Sequence, residues 1–231
     1  MEQILREGLA ALGLSQDGVP ALLRYGEKLV EKNKVMNLTA ITEPADVATL
    51  HFLDCAALLS LADFKSKSVA DIGTGAGFPG MPLKIVEPSI QLTLLDSLNK
   101  RIDFLKEVCQ DLGLNDVRCI HGRAEEFAAD HRERFDIVTS RAVANLQMLS
   151  ELCLPLVKVG GCFLSMKSVE SEEELNAAKQ AIKTLGGQVE KVADYTIPGT
   201  DVVHRLIFIK KIAQTPKKYP RVFAKIKKNP L

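Results

Sequence analysis

Hydrophobic positions in the first third of the chain recur at the three- and four-residue spacing of amphipathic helices. One such series covers residues 4–12, and a second covers residues 22–30, where lysine and glutamate separate the apolar positions. A third series covers residues 44–58 and begins at Pro44, and proline in the first turn is a helix-start signal. The pattern predicts a helical N-terminal region over residues 1–63.

From Lys67 onward, short apolar runs alternate with amphipathic stretches. Strands that alternate with helices indicate βαβ units and a mostly parallel sheet. The last two predicted strands are separated only by residues 198–203, which is too short for a parallel crossover, so the final strand is expected to be antiparallel. Residues 64–211 are therefore predicted to form a Rossmann-like α/β domain with the architecture of class I methyltransferases. The predicted strands cover residues 68–72, 90–95, 117–121, 135–140, 161–166, 189–197 and 204–209, and the predicted helices cover residues 80–86, 100–112, 146–156 and 172–185.

A glycine-rich turn, Asp71-Ile-Gly-Thr-Gly-Ala-Gly-Phe-Pro-Gly80, follows the first predicted strand and precedes a predicted helix. Gly73 and Gly75 allow the backbone to turn sharply and to approach a ligand closely. The free N–H groups at the start of the next helix would suit a negatively charged ligand group. Asp96 ends the second predicted strand, 21 residues after Gly75, where a ribose-binding acid belongs in a nucleotide-binding fold. The turn and Asp96 together predict a ligand that contains adenosine.

Spacing alone leaves two ligands of this kind open. Gly75-Ala-Gly-Phe-Pro-Gly80 matches the G-x-G-x-x-G pattern of an NAD-dependent dehydrogenase. Asp71 stands two residues before Gly73, however, and the resulting D-x-G-x-G-x-G pattern is typical of S-adenosylmethionine sites. Pro79 also removes one N–H group that a pyrophosphate would use, and both features favour S-adenosylmethionine. A further acidic stretch, Gly122-Arg-Ala-Glu-Glu126, either binds an adenine edge or simply begins a helix.

Four segments are more specific than a generic methyltransferase pattern. They are Asn33-Lys-Val-Met-Asn-Leu-Thr-Ala-Ile-Thr42, His51-Phe-Leu-Asp54, Gly73-Thr-Gly-Ala-Gly-Phe-Pro-Gly80 and Thr139-Ser-Arg-Ala-Val-Ala144. In this order they closely resemble the ribosomal small-subunit guanine-N7 methyltransferase G family, once called glucose-inhibited division protein B. The resemblance covers about residues 33–211. The chain departs from the family at Cys55, where many members have serine, and after Lys218, where it only partly follows the ending of some relatives.

The resemblance implies a cytoplasmic enzyme that methylates N7 of one guanine in a loop of 16S rRNA, with S-adenosylmethionine as its cofactor. Guanine N7 carries a lone pair and no proton, so transfer to it needs no general base and depends on proximity and alignment. Arg141 is therefore expected to position the reactants, although a surface salt bridge is the alternative, and no metal is expected. By position, the resemblance assigns cofactor binding to Gly73, Gly75, Phe78, Asp96, Ser97, Ala124, Glu125 and Arg141, with Asp96 and Ser97 at the ribose and Ala124 and Glu125 at the adenine.

The charge of the chain is unevenly distributed, although its formal total is only +1. Residues 210–231 contain eight basic residues and no acid, which leaves 22 basic and 29 acidic residues, a charge of −7, in residues 1–209. Residues 212–231 are therefore predicted to be a basic tail that binds RNA phosphates, with a disordered, solvated tail as the alternative. His51 and Asp54, three residues apart, are either part of a pocket rim or a structural hydrogen-bonded pair. The predicted RNA-binding residues are Lys34, Asn37, His51, Lys217, Lys218 and Arg221.

Composition excludes several other classes. The five cysteines include no Cys-x-x-Cys pair, which argues against a zinc ribbon or a redox dithiol. Residues 1–10 lack the apolar core of a signal peptide, and no run of 18 apolar residues occurs. We therefore expect a soluble cytoplasmic monomer that needs neither a membrane nor an obligate protein partner. The resemblance implies that it binds 16S rRNA of the small ribosomal subunit. A non-catalytic RNA-binding or assembly protein with the same fold is a further alternative.

Overall fold

A seven-stranded β-sheet organises the chain in the computed structural model, which describes residues 1–141 and 144–231. The strand order is β3-β2-β1-β4-β5-β7-β6, and β7 is the one of these seven strands that runs in the direction opposite to the others. The predicted sheet with an antiparallel strand near its C-terminal end is confirmed. The strands are β1 (Ser68–Ile72), β2 (Gln91–Asp96), β3 (Val117–His121), β4 (Phe135–Arg141), β5 (Val157–Ser168), β6 (Gly187–Thr196) and β7 (Val203–Lys211).

Helices cover both faces of the sheet. Most of them lie where the apolar spacing predicts. The short helix α7 begins in the acidic stretch Gly122–Glu126, as one of its two interpretations allowed, while α10 is a short helix that the sequence pattern did not predict. The helices are α1 (Glu2–Ala11), α2 (Val19–Met36), α3 (Pro44–Asp46), α4 (Asp54–Leu61), α5 (Gly80–Val86), α6 (Asn99–Asp111), α7 (Ala124–Asp130), α8 (Leu146–Cys153), α9 (Glu172–Thr184) and α10 (Phe223–Lys228).

The N-terminal helices share one hydrophobic core with the first face of the sheet. Leu9, Leu22 and Phe52 are fully buried in the same cluster as Leu94 of β2 and Leu105 of α6. Full burial of such a side chain contributes roughly 1.5–3 kcal/mol. The N-terminal helices therefore form one outer layer of the fold. The predicted boundary near residue 63 stays a prediction about chain organisation.

The apolar stretch Pro44–Leu61 is one continuous helix in which α3 and α4 are joined by the π-helical segment Val47–Leu53. Its length and hydropathy would allow it to cross a membrane, but 61% of it is buried inside the protein, as in a core helix. π-Helical turns occur frequently at functional sites. This one carries His51 to the carboxyl end of β4.

The second face of the sheet is covered by α7, α8 and α9. Residues 212–231, hereafter the C-terminal segment, pack on this face through Ile226, which is fully buried in the same cluster as Leu149 and Phe163. The segment follows β7, whose last residue, Lys211, is itself buried and donates to Glu133 and to the Leu154 carbonyl. Lys211 thus contributes to the folded body and is not part of the exposed basic surface.

Candidate cofactor site and reaction centre

The glycine-rich turn presents its backbone to a cavity at the carboxyl ends of the strands. Gly73 and Gly75 have φ angles of +70° and +61°, which favour glycine, and a Cβ added at Gly75 would meet nothing within 4 Å. Gly77 faces the opposite way, since an added Cβ would lie 2.6 Å from the Tyr25 hydroxyl and 2.7 Å from Met81 Cγ. Gly75 therefore exposes backbone to a ligand, whereas Gly77 allows close packing beneath the turn.

Asp71 occupies the position at which an anion would approach the helix that follows the turn. Its Oδ2 accepts hydrogen bonds from Gly80 N (2.9 Å), at the start of α5, and from the Thr74 hydroxyl (2.7 Å). Burial raises the pKa of this carboxyl to about 6, although both hydrogen bonds oppose the shift. Because a carboxylate already satisfies the helix N-terminus, this turn offers no free anion site to a pyrophosphate. The geometry thus favours S-adenosylmethionine over NAD.

The cavity above the turn, hereafter the main cavity, has a volume of about 380 Å³. Asp96 lies on its wall, where its carboxylate accepts from Gly75 N and Leu98 N, each at 2.9 Å. Six of the predicted cofactor residues line this cavity, which brings them together at the carboxyl ends of β1, β2 and β4. Its wall is formed by Leu38, Thr39, His51, Gly73, Thr74, Gly75, Ala76, Phe78, Asp96, Ser97, Arg101 and Arg141.

The two remaining predicted cofactor residues, Ala124 and Glu125, line a side pocket of about 190 Å³ that shares Gly73, Asp96 and Ser97 with the main cavity. Its other walls are mainly apolar, as suits a flat aromatic ring. The Glu125 carboxylate accepts from Arg123 Nε at 2.7 Å. The rest of the lining comprises Ile72, Leu95, Gly122, Arg123, Leu152 and Phe223.

Arg141, the last residue of β4, is held by three residues of the Pro44–Leu61 helix. Its Nη1 donates to Asp54 Oδ2 (3.1 Å) and to the Leu50 carbonyl (3.2 Å), and its Nη2 lies 3.0 Å from His51 Nδ1. Its guanidinium carbon also lies 4.8 Å from the centroid of the Phe78 ring. The Asp54 carboxylate is fully buried, so this is a buried ion pair with a fixed geometry.

His51 is neutral in this arrangement. A guanidinium can only donate, so His51 Nδ1 accepts from Arg141, and its Nε2 donates to the Thr39 hydroxyl at 2.8 Å. Burial and, after it, the nearby Arg141 charge together lower the pKa of His51 to about 4. The His51 ring stacks on Phe78 with 4.3 Å between centroids. The sequence placed His51 among RNA contacts, whereas the structure places it in a buried wall between Phe78 and Arg141.

Asp54 connects Arg141 to the C-terminal strands. Its Oδ1 accepts from the Tyr195 hydroxyl of β6 and from His204 Nδ1 of β7, each at 2.8 Å. The hydrogen bond to Asp54 raises the pKa of His204. Sequence reasoning paired His51 with Asp54 but missed Tyr195 and His204, because 141 and 150 residues separate them from Asp54. No local signal in the sequence links positions so far apart.

A second large space, hereafter the outer cavity, lies on the other side of Arg141 and His51 and has a volume of about 550 Å³. It shares these two residues with the main cavity and is otherwise mostly apolar. Its lining is Ile41, Leu50, His51, Asp54, Arg141, Met166, Lys167, Ser168, Val202 and His204. Ala142 and Val143, in the Ser-Arg-Ala-Val motif, lie outside the described residues.

The remaining predicted RNA-binding residues fall into two groups. Lys34, Asn37, Lys217 and Lys218 are exposed. Arg221 instead forms an ion pair with buried Glu151, at 2.6 Å. Asn33 fixes the cavity-lining turn that follows it, because its side-chain oxygen accepts from the backbone N–H groups of Leu38 and Thr39, five and six residues further on. It therefore supports the wall of the main cavity.

The cavity walls fit S-adenosylmethionine: open backbone at Gly75, a carboxylate at Asp96 for hydroxyl groups, and an apolar slot at Ala124. The fold and this site define a class I S-adenosylmethionine-dependent methyltransferase.

Solved structures agree on the fold. M. jannaschii TYW2 in complex with AdoMet is 14% identical, with a TM-score of 0.52, over 64% of this chain and 69% of that one. A SAM-dependent methyltransferase from Aquifex aeolicus is 16% identical, with a TM-score of 0.53, over 72% and 93%.

Sequence comparisons identify the family. The family profile described as rRNA small subunit methyltransferase G matches residues 19–202. The ribosomal RNA small subunit methyltransferase G of Alkaliphilus metalliredigens is 49% identical over 225 residues, which cover 95% of this chain and 94% of that protein. The chain therefore belongs to the rRNA small subunit methyltransferase G family, and the resemblance seen in its motifs is confirmed.

Proposed function

We propose that this chain transfers a methyl group from S-adenosylmethionine to N7 of a specific guanine in 16S rRNA of the small ribosomal subunit. The observation that carries the proposal is the position of Arg141 and His51, which form a common wall between the main cavity and the outer cavity. One side of this wall suits an adenosine-containing methyl donor, and the other suits a flat base. For transfer, the methyl carbon must contact N7 directly, so the two reactants would meet at the edge of Arg141 and His51, where the cavities adjoin, and would gain rate from proximity and orientation.

The main cavity and its side pocket would hold the cofactor. When bound, S-adenosylmethionine supplies an electrophilic methyl group on a sulfonium sulfur. Asp96 would accept hydrogen bonds from ribose hydroxyls, and Ser97 lies beside it. Ala124 and Glu125 would contact the adenine, and the backbone at Gly73 and Gly75 would border the rest of the ligand. Support for this placement comes from the shared lining of the two spaces.

The outer cavity would receive the guanine. A base in folded RNA must leave its stack before an enzyme can reach it, and it then needs a pocket with flat apolar surfaces. Leu50, Met166 and Val202 provide such surfaces, while Ser168 and His204 provide polar groups. A space of about 550 Å³ falls within the usual size range of small-molecule sites.

Arg141 would act by position and would not transfer a proton. Its guanidinium is fixed by Asp54, His51 and the Leu50 carbonyl, so its location is defined before either reactant binds. Guanine N7 offers a lone pair without losing a proton, so the reaction requires alignment and no general base. His51 would serve as a neutral spacer that holds Arg141 against Phe78.

The exposed residues Lys34, Asn37, Lys217 and Lys218 would contact the RNA. Lysine side chains on an exposed surface suit phosphates, whose binding is sequence-independent and sensitive to salt. We assign His51 and Arg221 to positioning roles, since one is buried in the cavity wall and the other is paired with Glu151.

We also propose that the protein acts as a monomer in the cytoplasm. Its exposed large hydrophobic residues, such as Val35, Val159 and Ile212, are scattered along the chain, and its five cysteines are free thiols, as suits a reducing compartment. Sedimentation equilibrium at micromolar concentration should give a mass near 25.3 kDa, and a mass twice as large would contradict the monomer.

The function is tested by incubating the protein with methyl-labelled cofactor and either 30S particles or deproteinised 16S rRNA from a strain that lacks the gene. We expect label at one guanine, detected as 7-methylguanosine by chemical cleavage of the RNA at the modified base. Label at another base atom would refute N7 transfer, and no label on either substrate would favour a non-catalytic RNA-binding protein. Calorimetry that showed binding of NADH but not of S-adenosylhomocysteine would restore the dehydrogenase interpretation.

A further inference from the structure

The C-terminal segment reaches the side pocket. Phe223, the first residue of α10, forms part of the pocket wall together with Leu152 of α8. The guanidinium carbon of Arg123, which precedes α7, lies 4.7 Å from the centroid of the Phe223 ring. An element predicted as a free basic tail thus supplies an aromatic side chain to the pocket that contains Ala124 and Glu125.

Polar contacts fix the first half of the segment to the body of the protein. Arg132, between α7 and β4, donates to the carbonyl oxygens of Tyr219 (2.7 Å) and Pro216 (3.0 Å), and also to that of Thr215. The Thr215 hydroxyl donates to the Leu185 carbonyl at 2.7 Å. Three carbonyls on one guanidinium define the path of the chain toward Phe223.

A buried ion pair fixes the segment immediately before Phe223. Glu151 of α8 is fully buried, and its carboxylate accepts from the backbone N–H of Arg221 (2.8 Å), from Nε (2.8 Å) and from Nη2 (2.6 Å) of the same residue. On the other side of Phe223, Ile226 is fully buried. The backbone is therefore anchored on both sides of Phe223, which holds this residue at the pocket wall.

We propose that Phe223 is an adenine-binding residue, and that docking of the C-terminal segment and binding of the cofactor stabilise each other. The proposal rests on the proposed function, which places adenine beside Ala124 and Glu125. An aromatic face next to a base stabilises it by stacking, and substitution by alanine removes that stabilisation. Because coupling between two binding equilibria is reciprocal, a cofactor that prefers the docked segment also makes undocking less frequent.

The coupling has a consequence for the RNA. Lys217 and Lys218 belong to the same segment as Phe223, so RNA phosphates on these lysines and adenine in the side pocket would favour the same docked state. The C-terminal segment would then link substrate binding to cofactor binding within one chain.

Calorimetric titration with S-adenosylhomocysteine tests the proposal on five proteins: wild type, Phe223→Ala, Phe223→Tyr, Val222→Ala and Asp96→Asn. Phe223→Ala should bind about tenfold or more weakly, in line with the loss of one stacking contact. Val222→Ala, which changes the exposed neighbouring side chain, should bind like wild type. Phe223→Tyr, which keeps the aromatic face, should also bind like wild type.

Two results overturn different statements. If Asp96→Asn weakens binding and Phe223→Ala does not, Phe223 is no part of the cofactor site, while the proposed function stands. If neither substitution weakens binding, the placement of the cofactor is itself wrong.

Limited trypsin digestion provides a second readout that needs no activity. S-adenosylhomocysteine should slow cleavage after exposed Lys225 in wild type but not in Phe223→Ala. Equal cleavage of the wild type with and without ligand would refute the coupling. Thermal unfolding of each variant establishes that the body of the protein is folded.

Discussion

Opposite ends of the chain build opposite ends of the cofactor site, and they do so by different physical means. At the reaction end, the N-terminal helices are attached by apolar burial, with Leu9, Leu22 and Phe52 fully inaccessible. At the adenine end, the C-terminal segment is anchored by buried Ile226 and otherwise depends on hydrogen bonds and on the Arg221–Glu151 ion pair. Apolar burial makes the first region inseparable from the core. Polar anchoring leaves the second region able to open while the core persists.

The largest expected effect concerns the apolar attachment of the N-terminal helices. The contrast between the two regions fails if these helices contribute little to the free energy of unfolding. Phe52→Ala should lower the free energy of unfolding by roughly 3–5 kcal/mol, because it leaves a cavity beside Tyr25, whose ring lies 5.2 Å away. Urea denaturation measures the change. Val35→Ala, at a position 78% exposed on α2, is the control and should have little effect. A loss below about 1 kcal/mol for Phe52→Ala would show that the two ends are attached alike.

The reaction end is next tested at Arg141. Arg141→Lys should lower the rate of methyl transfer by about 10²–10³-fold, because an ammonium cannot reproduce the fork that joins Asp54, His51 and the Leu50 carbonyl. Single-turnover labelling of 16S rRNA measures the rate. The lysine retains a positive charge near Asp54, so the variant should stay folded, and Arg24→Ala on exposed α2 should label normally. A near-normal rate for Arg141→Lys would reduce Arg141 to a structural ion pair.

The adenine end is tested by removing the charge of Glu151. Glu151→Gln should release the C-terminal segment and raise its trypsin cleavage rate several-fold, at a cost of about 1.5–3 kcal/mol for hydrogen bonds to a charged group. The rest of the protein should still unfold cooperatively. Global unfolding as severe as that of Phe52→Ala would contradict the distinction between the two ends.

Lowering the pH tests the reaction end, because it protonates His51. Its pKa is depressed to about 4, so the unfolded chain binds a proton more readily than the folded one between pH 6.5 and 4. Stability from neutral His51 is present above pH 6.5 and is lost as pH falls, by about 2 kcal/mol at pH 5. His51→Gln can accept from Arg141 and donate to Thr39 without titrating, so its unfolding midpoint should fall less steeply below pH 6.5. Parallel pH profiles for the two proteins would refute a buried neutral histidine. The pKa of His204 is raised by Asp54, so its contribution to the pH dependence of stability has the opposite sign. The stabilisation from His204 is lost as pH rises.

The smallest expected effect concerns RNA affinity. Replacing both Lys217 and Lys218 by alanine should reduce the slope of log K against log salt by about 1.4, the value for two phosphate contacts on single-stranded RNA. Fluorescence anisotropy with a 16S rRNA fragment measures the slope at several salt concentrations. The control replaces Lys179 and Lys183, two exposed lysines on α9. Equal slopes for both double variants would remove the C-terminal segment from the RNA interface.

Local patterns predicted the fold, and together with the family resemblance they predicted residues that the structure gathers around the main cavity and its side pocket. The alternation of strands and helices depends on side-chain periodicity, and the turn around Gly75 depends on backbone conformation, and both are visible in short stretches of sequence. Asp96 was predicted because strand ends in a parallel sheet meet at one edge. Such features need no knowledge of distant contacts.

The reaction end and the C-terminal segment were harder to predict, since both depend on partners far away in sequence. Tyr195 and His204 meet Asp54 only because β6 and β7 pack beside the helix that carries it. The sequence predicted Arg221 as an RNA contact, because charge patterning cannot show that a buried carboxylate, that of Glu151, lies beside it. Phe223 lies within the predicted basic tail, and nothing local in the sequence places it in the same pocket as Ala124.

Asp71 gives this turn a built-in counter-charge, and that bears on how the scaffold could diverge. A turn of this shape can exchange one adenosine-containing ligand for another only if the helix N-terminus becomes free to meet phosphate oxygens. Here the backbone N–H at the start of α5 already donates to the carboxylate of Asp71, which is fully buried. Redesign toward a diphosphate-bearing nucleotide would have to begin by deleting that carboxylate, which also ties Thr74 and Thr139 together. The carboxylate of Asp71 beneath the turn thus opposes the binding of a diphosphate-bearing nucleotide and keeps the turn suited to S-adenosylmethionine.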